Sequence, residues 1–295
     1  MLTPRIAVSV RNGTARIALL QNNTLTQYHL WNPANTIDIG ALYTGRVTAA
    51  APAMAGKFVD LGAEITGFLP DTAGAKFLSE GHYAAFRITR TPQSGKGPRL
   101  AHVPDHPPAE KPGLLRPAPG PLLDLAVTFP HANIILDDYA LIAELRPALE
   151  GRMIHQAETF HPALEDEIAA LAEPTATLPT GATLHFEFTK ALTCIDIDTG
   201  PATAARSNKS HAQLAFNLTL LPALVRQIIL RNLSGGILID FAGLKSTARP
   251  QLATPLKAAL DSDPLKPKFL GFTHLGYAEL LRPRLRPPLH EILPP

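Results

Sequence analysis

Two short β-branched runs, each ending on an aspartate, bracket a long apolar pattern between Ala191 and Asp240, and this unit limits the possible folds more than any other stretch. The first run is A-L-T-C-I-D-I-D-T-G and the second closes R-N-L-S-G-G-I-L-I-D-F. Their composition predicts a strand for each, with its carboxylate at or near the strand exit. Leu214 to Leu233 is rich in Leu, Ile and Ala and predicts a helix that Pro222 starts or kinks. If the two strands are neighbours, Asp196 and Asp240 converge, and paired hard carboxylates are what a Mg²⁺ site needs.

The same stretch resembles the catalytic region of the ribonuclease E/G family. The family's segments run E-A-L-x-x-I-D-V-N-T-G and A-R-Q-L-R-L-R-N-L-G-G-I-I-I-I-D-F. Here they stand as K-A-L-T-C-I-D-I-D-T-G from Lys190 and V-R-Q-I-I-L-R-N-L-S-G-G-I-L-I-D-F from Val225. The resemblance implies Asp196 and Asp240 as metal ligands, with Asp198, where the family has Asn, orienting the attacking water or the ion. Arg226 and Arg231 are expected to hold phosphates. Three family acids are missing, at Lys190, Thr219 and Gly243, which weakens the negative field around the ion.

Residues 37 to 102 break into short strands separated by Gly and Pro, a pattern that predicts a small barrel. Strands are expected at Leu42–Ala49, Gly56–Leu61, Gly67–Leu69 and Tyr83–Thr89. The wording G-A-L-Y-T-G-R-V-T, G-K-F-V-D-L-G-A-E-I-T-G-F-L-P and G-K-G-P-R-L resembles the S1-type RNA-binding domain of the same family. The resemblance implies Phe58 and Phe68 on the RNA face, where a ring stacks an unpaired base for about 1–3 kcal/mol. It also implies Lys96 as a contact, with Arg46, Arg90 and Arg99 as phosphate contacts nearby.

Residues 103–120 are proline-rich without apolar periodicity and read as a connection. The family carries here a sensor subdomain whose G-x-I-x-R-T motif grips a five-prime monophosphate, and that motif has no counterpart. Before this stretch, residues 16–20 and 25–30 around Asn22-Asn23 predict a hairpin. After it, residues 121–129 predict a helix, 134–138 a strand and 139–149 another helix; Asp137 and Asp138 read as a solvated turn. Helices are expected at 162–171, 253–260 and 275–281, and a strand at 268–273. Arg282, Arg284 and Arg286 form a basic stripe in the sequence.

The resemblance therefore implies a multidomain α/β chain. An RNase H-like subdomain is expected from residues 1–36 and 118–172, with an S1-type OB β-barrel inserted over 37–102. A Pro-rich linker over 103–117 replaces the sensor, and a DNase I-like catalytic subdomain spans 173–295. The activity implied is Mg²⁺-dependent endonucleolytic cleavage of single-stranded RNA, with Mn²⁺ as a substitute ion. The alternative is an RNA-binding protein or scaffold of the same family with a weakened metal site.

A net charge of +2 does not by itself announce nucleic acid, so RNA contacts must come from local clusters. The single cysteine, Cys194, excludes an intramolecular disulfide and a Cys-rich zinc site and is expected in the core. The family's C-P-x-C link is absent, so no zinc-linked dimer is expected. No apolar run suits a membrane span and the start lacks a signal-peptide pattern, so a soluble cytoplasmic protein is expected.

Overall fold

In the computed structural model, residues 3–149, 151–199, 209–245 and 247–293 are described. They form two compact units. The first runs to Phe160 without Thr26–Tyr28 and takes back Leu285–Pro287; the second holds Thr26–Tyr28 and the rest of the chain.

The first unit opens with strands β1 (Arg5–Arg11), β2 (Thr14–Gln21) and β3 (Thr24–Trp31). Asn12-Gly13 and Asn22-Asn23 all have positive φ, so each joins its strands in a tight two-residue turn whose twist matches the sheet. The chain then enters a barrel of β4 (Leu42–Ala51), β5 (Gly56–Asp60), β6 (Thr66–Pro70), β7 (Tyr83–Arg90) and β8 (Arg99–His102). β4 pairs with both β5 and β7, which closes the ring, and Val47, Val59, Leu69, Phe86, Ile88 and Leu100 fill it. The proline-rich stretch differs from its expectation: Gly113–Arg116 forms β9, antiparallel to β4, and the Ala109 amide donates to Thr44 Oγ1 at 2.7 Å. Gly113–Arg116 is a proline-free run between Pro112 and Pro117, so its backbone amides are free to pair.

Helix α1 (Gly120–Thr128), strand β10 (Asn133–Leu136), helix α2 (Tyr139–Leu149) and strand β11 (Met153–His155) return to the first sheet. Its order is β11-β10-β1-β2-β3, with β10 parallel to β1 and to β11. Ile6, Val8, Ile17 and Ile134 pack under Leu122, Leu125, Leu141 and Leu145. Asp137 accepts from Ser9 Oγ, the Val10 amide and Arg11, and Asp138 caps α2 through the Leu141 amide. Both aspartates are structural.

The second unit contains α3 (Pro162–Ala169), β12 (Thr175–Thr177), β13 (Thr183–Phe188), β14 (Leu192–Asp198), α4 (Lys209–Leu230), β15 (Gly235–Asp240), α5 (Pro250–Leu260), β16 (Lys268–Phe272), β17 (Ala278–Arg282) and α6 (Leu289–Ile292). The sheet order is β12-β13-β14-β15-β17-β16. Residues 275–281, expected as a helix, instead end in β17, which hydrogen-bonds to β15 and β16 while Ala278, Leu280 and Arg282 alternate inward. Helix α4 continues through Pro222 and does not start there.

Within α4, Ala212–Leu230 is long and apolar enough to suit a membrane, contrary to expectation. Leu220, Leu224, Val225 and Ile228 are nevertheless buried in the core with Ile195, Ile237 and Ile239, so its apolar side serves as a core face.

Candidate active site

Strands β14 and β15 are parallel, and their register sets Asp196 against Asp240. The alternation fixes the face. Ile195, Ile197, Ile237 and Ile239 are buried in the core with α4, so Asp196 and Asp240 emerge on the opposite side. The antiparallel β13 adds His185 opposite Asp196, giving a row His185–Asp196–Asp240 across three strands. Asp198 lies two residues on, on the same face, opposite Thr183. His185 belongs to no motif of the acidic stretch; the alternating T-L-H-F-E-F of its strand is the available signal.

The Asp240 carboxyl is pushed above its ordinary pKa by burial first and by the Asp196 charge second, while Arg249 pulls it down. A carboxylate whose ionisation is opposed by a neighbouring negative charge makes a place where a cation is welcome. Among the described residues, no three or more His, Cys, Asp or Glu gather closely enough to hold a metal. What the register brings together on this face is the carboxylate pair Asp196 and Asp240. Asn217, fully buried on α4, donates through Nδ2 to Ala242 O at 3.1 Å and ties down the segment that leaves Asp240.

The missing acids fall at different distances from this row. Lys190 lies in the turn before β14, six residues from Asp196 and at the other end of the strand. Thr219 is exposed on α4 and turns its hydroxyl back to Phe216 O. Only Gly243 follows closely on Asp240, with Gln213 against it. Cys194, expected in the core, is half-buried on the acidic face instead, because it shares the parity of Asp196.

The two arginines expected as phosphate contacts in this unit are both engaged by other partners. Arg231 is 3% exposed, and its guanidinium donates to the carbonyls of Ala170, Leu171, Glu173 and Thr175 while lying 4.2 Å from the Phe186 ring centre. Burial pulls its pKa down to about 10. It braces the turn after α3 and has no face for RNA. Arg226 is paired with Glu167 of α3. The basic stripe dissolves likewise: Arg282 is buried on Asp263 and Arg286 pairs with Asp38, while Arg284 donates to Ala191 O.

On the barrel, Phe58, Phe68, Arg99 and Arg90 stand in register across β5, β6, β8 and β7. The two rings meet edge to face at 5.7 Å and lie outside the barrel core, each half-buried. Lys96 is exposed at the end of a tight turn through Ser94 and Gly95, both with positive φ. Arg46 is exposed opposite Asp60, two residues along β5 from Phe58.

A family model described as the Ribonuclease E/G family matches residues 138–285, half of the chain. Ribonuclease G of Salmonella typhimurium is 33% identical over 153 residues, which is 52% of this chain and 31% of that protein. Ribonuclease G of Escherichia coli strain K12 is 34% identical over 131 residues, 44% of this chain and 27% of the relative. Ribonuclease E of a Synechocystis species is 34% identical over 121 residues, 41% of this chain and 18% of the relative. The matched stretches thus span no more than 31% of the length of these relatives.

Proposed function

The chain belongs to the ribonuclease E/G family, and on that premise we propose that it is a Mg²⁺-dependent endoribonuclease acting on single-stranded RNA. The observation that carries this reading is the register of Asp196 with Asp240 on one open sheet face. A pair of carboxylates fits Mg²⁺, which is held by one or two such groups, keeps several waters and takes substrate phosphate oxygens; Mn²⁺ suits the same oxygen donors. When bound, the ion supplies a Lewis acid and a water of lowered pKa. Asp196 and Asp240 would hold it, Asp198 would orient the attacking water, and His185 borders Asp196 on the far side.

In this reading the sheet of residues 1–36 and 118–172 is an RNase H-like subdomain, supported by its antiparallel β1–β2 pair flanked by the parallel β10 and β11. Residues 37–102 are an S1-type OB domain, and 173–295 a DNase I-like catalytic subdomain. Residues 103–117 stand in place of a five-prime sensor. The barrel row holds the strand: Phe58 and Phe68 stack bases while Arg46, Arg90, Lys96 and Arg99 meet phosphates.

Changing Phe58 and Phe68 together to Ala is expected to weaken single-stranded RNA binding by about 2–5 kcal/mol with the fold retained. Fluorescence anisotropy with a labelled oligonucleotide measures this, and unchanged affinity would return both rings to a packing role. Because no sensor motif is present, RNAs with five-prime monophosphate, triphosphate or hydroxyl ends are expected to be cut at similar rates. A roughly tenfold preference for the monophosphate, worth about 1.4 kcal/mol, would reveal a phosphate pocket elsewhere. The reading as a whole is tested by cleavage of a short unstructured RNA, with EDTA abolishing it and Mg²⁺ restoring it. RNA binding without cleavage at any Mg²⁺ or Mn²⁺ level would favour the non-catalytic alternative.

A further inference from the structure

We propose that Arg249 is the phosphate clamp of the acidic site, the guanidinium that meets the scissile phosphodiester beside Asp240. The assignment rests on the endoribonuclease reading above and adds to it a residue that neither the sequence motifs nor the relatives' names point to.

Its placement comes from three features of the second unit. Arg249 directly precedes α5 on the segment that leaves Asp240. Its Nη1 donates to Leu275 O at 3.4 Å, and its guanidinium lies over Gly276, where a Cβ would collide with it. The β15–β17 register ends at Ile239 with Ala278. Carried one residue further, it sets Tyr277 across from Asp240, with Gly276 next. The guanidinium therefore rests on the backbone that borders Asp240, and its charge acts on that carboxyl.

The charge is also available. Among the described residues no carboxylate lies within ion-pair distance of Arg249, whereas Arg226, Arg282 and Arg286 are each paired. Arg231 is closed off by carbonyls. Arg249 is half-buried, so its fork keeps a face toward solvent while its position is fixed.

The chemistry needs such a group. In hydrolysis the water oxygen bonds to phosphorus as one ester P–O bond breaks; one water proton ends on the departing hydroxyl, and the other stays on the new phosphate monoester or passes to solvent. Negative charge on the non-bridging oxygens must be met by cations already in place. A planar guanidinium matches two such oxygens at once, which an ammonium does not.

The test compares wild type with Arg249→Ala and Arg249→Lys, using a short unstructured RNA and Mg²⁺, alongside Mn²⁺ binding followed by electron paramagnetic resonance. Arg249→Ala is expected to lower kcat by about 10²- to 10³-fold. Arg249→Lys should recover only part of this. RNA affinity through the barrel should hold, and Mn²⁺ should bind as tightly as before or more tightly, because a neighbouring positive charge is gone. That opposite movement of metal affinity and rate is what a collapsed site would not give. Cleavage by Arg249→Ala at the wild-type rate, or loss of Mn²⁺ binding together with cleavage, would overturn the clamp and leave the endoribonuclease reading standing. A wild-type protein that cuts nothing with either ion would remove that reading and the clamp with it.

Discussion

Asp196→Asn and Asp240→Asn are each expected to lower RNA cleavage by about 10²- to 10⁴-fold, the several kcal/mol that a bound ion supplies to charge development at phosphorus. The two residues stand side by side in register on one sheet face, so in the proposed site each substitution would remove one of two negative ligands from the same ion. Metal affinity and cleavage should fall together while binding through the barrel persists. The double variant should be little worse than either single one, because groups acting as a unit lose their joint effect once. Raising Mg²⁺ should partly rescue a single variant and not the pair. Rates on one RNA, measured over a Mg²⁺ series with identically purified proteins, decide the matter. If the Asn variants cut as fast as wild type, the carboxylate pair is not the catalytic centre.

The second large effect is on stability. Asp263 is fully buried and accepts two hydrogen bonds from Arg282, at 2.6 and 3.2 Å, as well as the Leu265 amide. Arg282, 3% exposed, spends Nη1 on Asn232 Oδ1 and Leu233 O. Removing the carboxylate strands a guanidinium in the interior beneath the end of β15. Asp263→Ala is therefore expected to destabilise the second unit by about 3–5 kcal/mol. Urea unfolding followed by a probe in that unit measures the shift. Replacing both partners with apolar residues of similar volume should recover most of the loss, because the cost lies in the unpaired charge. A shift of Asp263→Ala close to zero would mean that water reaches the pair.

The acidic strands were legible because each buries one face. L-T-C-I-D-I-D alternates toward its end, and G-G-I-L-I-D is a short apolar run closed by its aspartate, a pattern that survives any tertiary context that leaves one side open. What the residues alone left open was their register, since a slip of one would have turned one aspartate into the core. Strand β17 was misread because A-E-L-L is rich in helix formers and its two partners lie far off in sequence. The short β11 gave too little pattern to read, and R-I-A-V-S-V-R was passed over although it forms β1 at the centre of its sheet.

The arginines divided in the same way. Nothing in Q-I-I-L-R-N-L separates an Arg231 that faces RNA from one enclosed by the carbonyls of residues 170–175, because that enclosure is assembled about 60 residues away. Arg249 was silent for the complementary reason. Its proximity to Asp240 runs through Gly276, a glycine whose missing Cβ has no signature in a single sequence.

The pairing of β9 with β4 has an evolutionary and thermodynamic consequence. Leu42 pairs with Arg116, and Gly40 lies against Pro119, so the chain departs for the barrel and comes back through one two-stranded neck. A host sheet whose break points adjoin does not need its insert in order to stay folded. With the barrel melted it carries only a longer loop, and each doubling of loop length adds about 0.6 kcal/mol of closure entropy. Everything beyond the neck is thus an exchangeable cassette, and on the function proposed above a lineage could retune the grip on RNA there while the carboxylates proposed to cut it stay untouched.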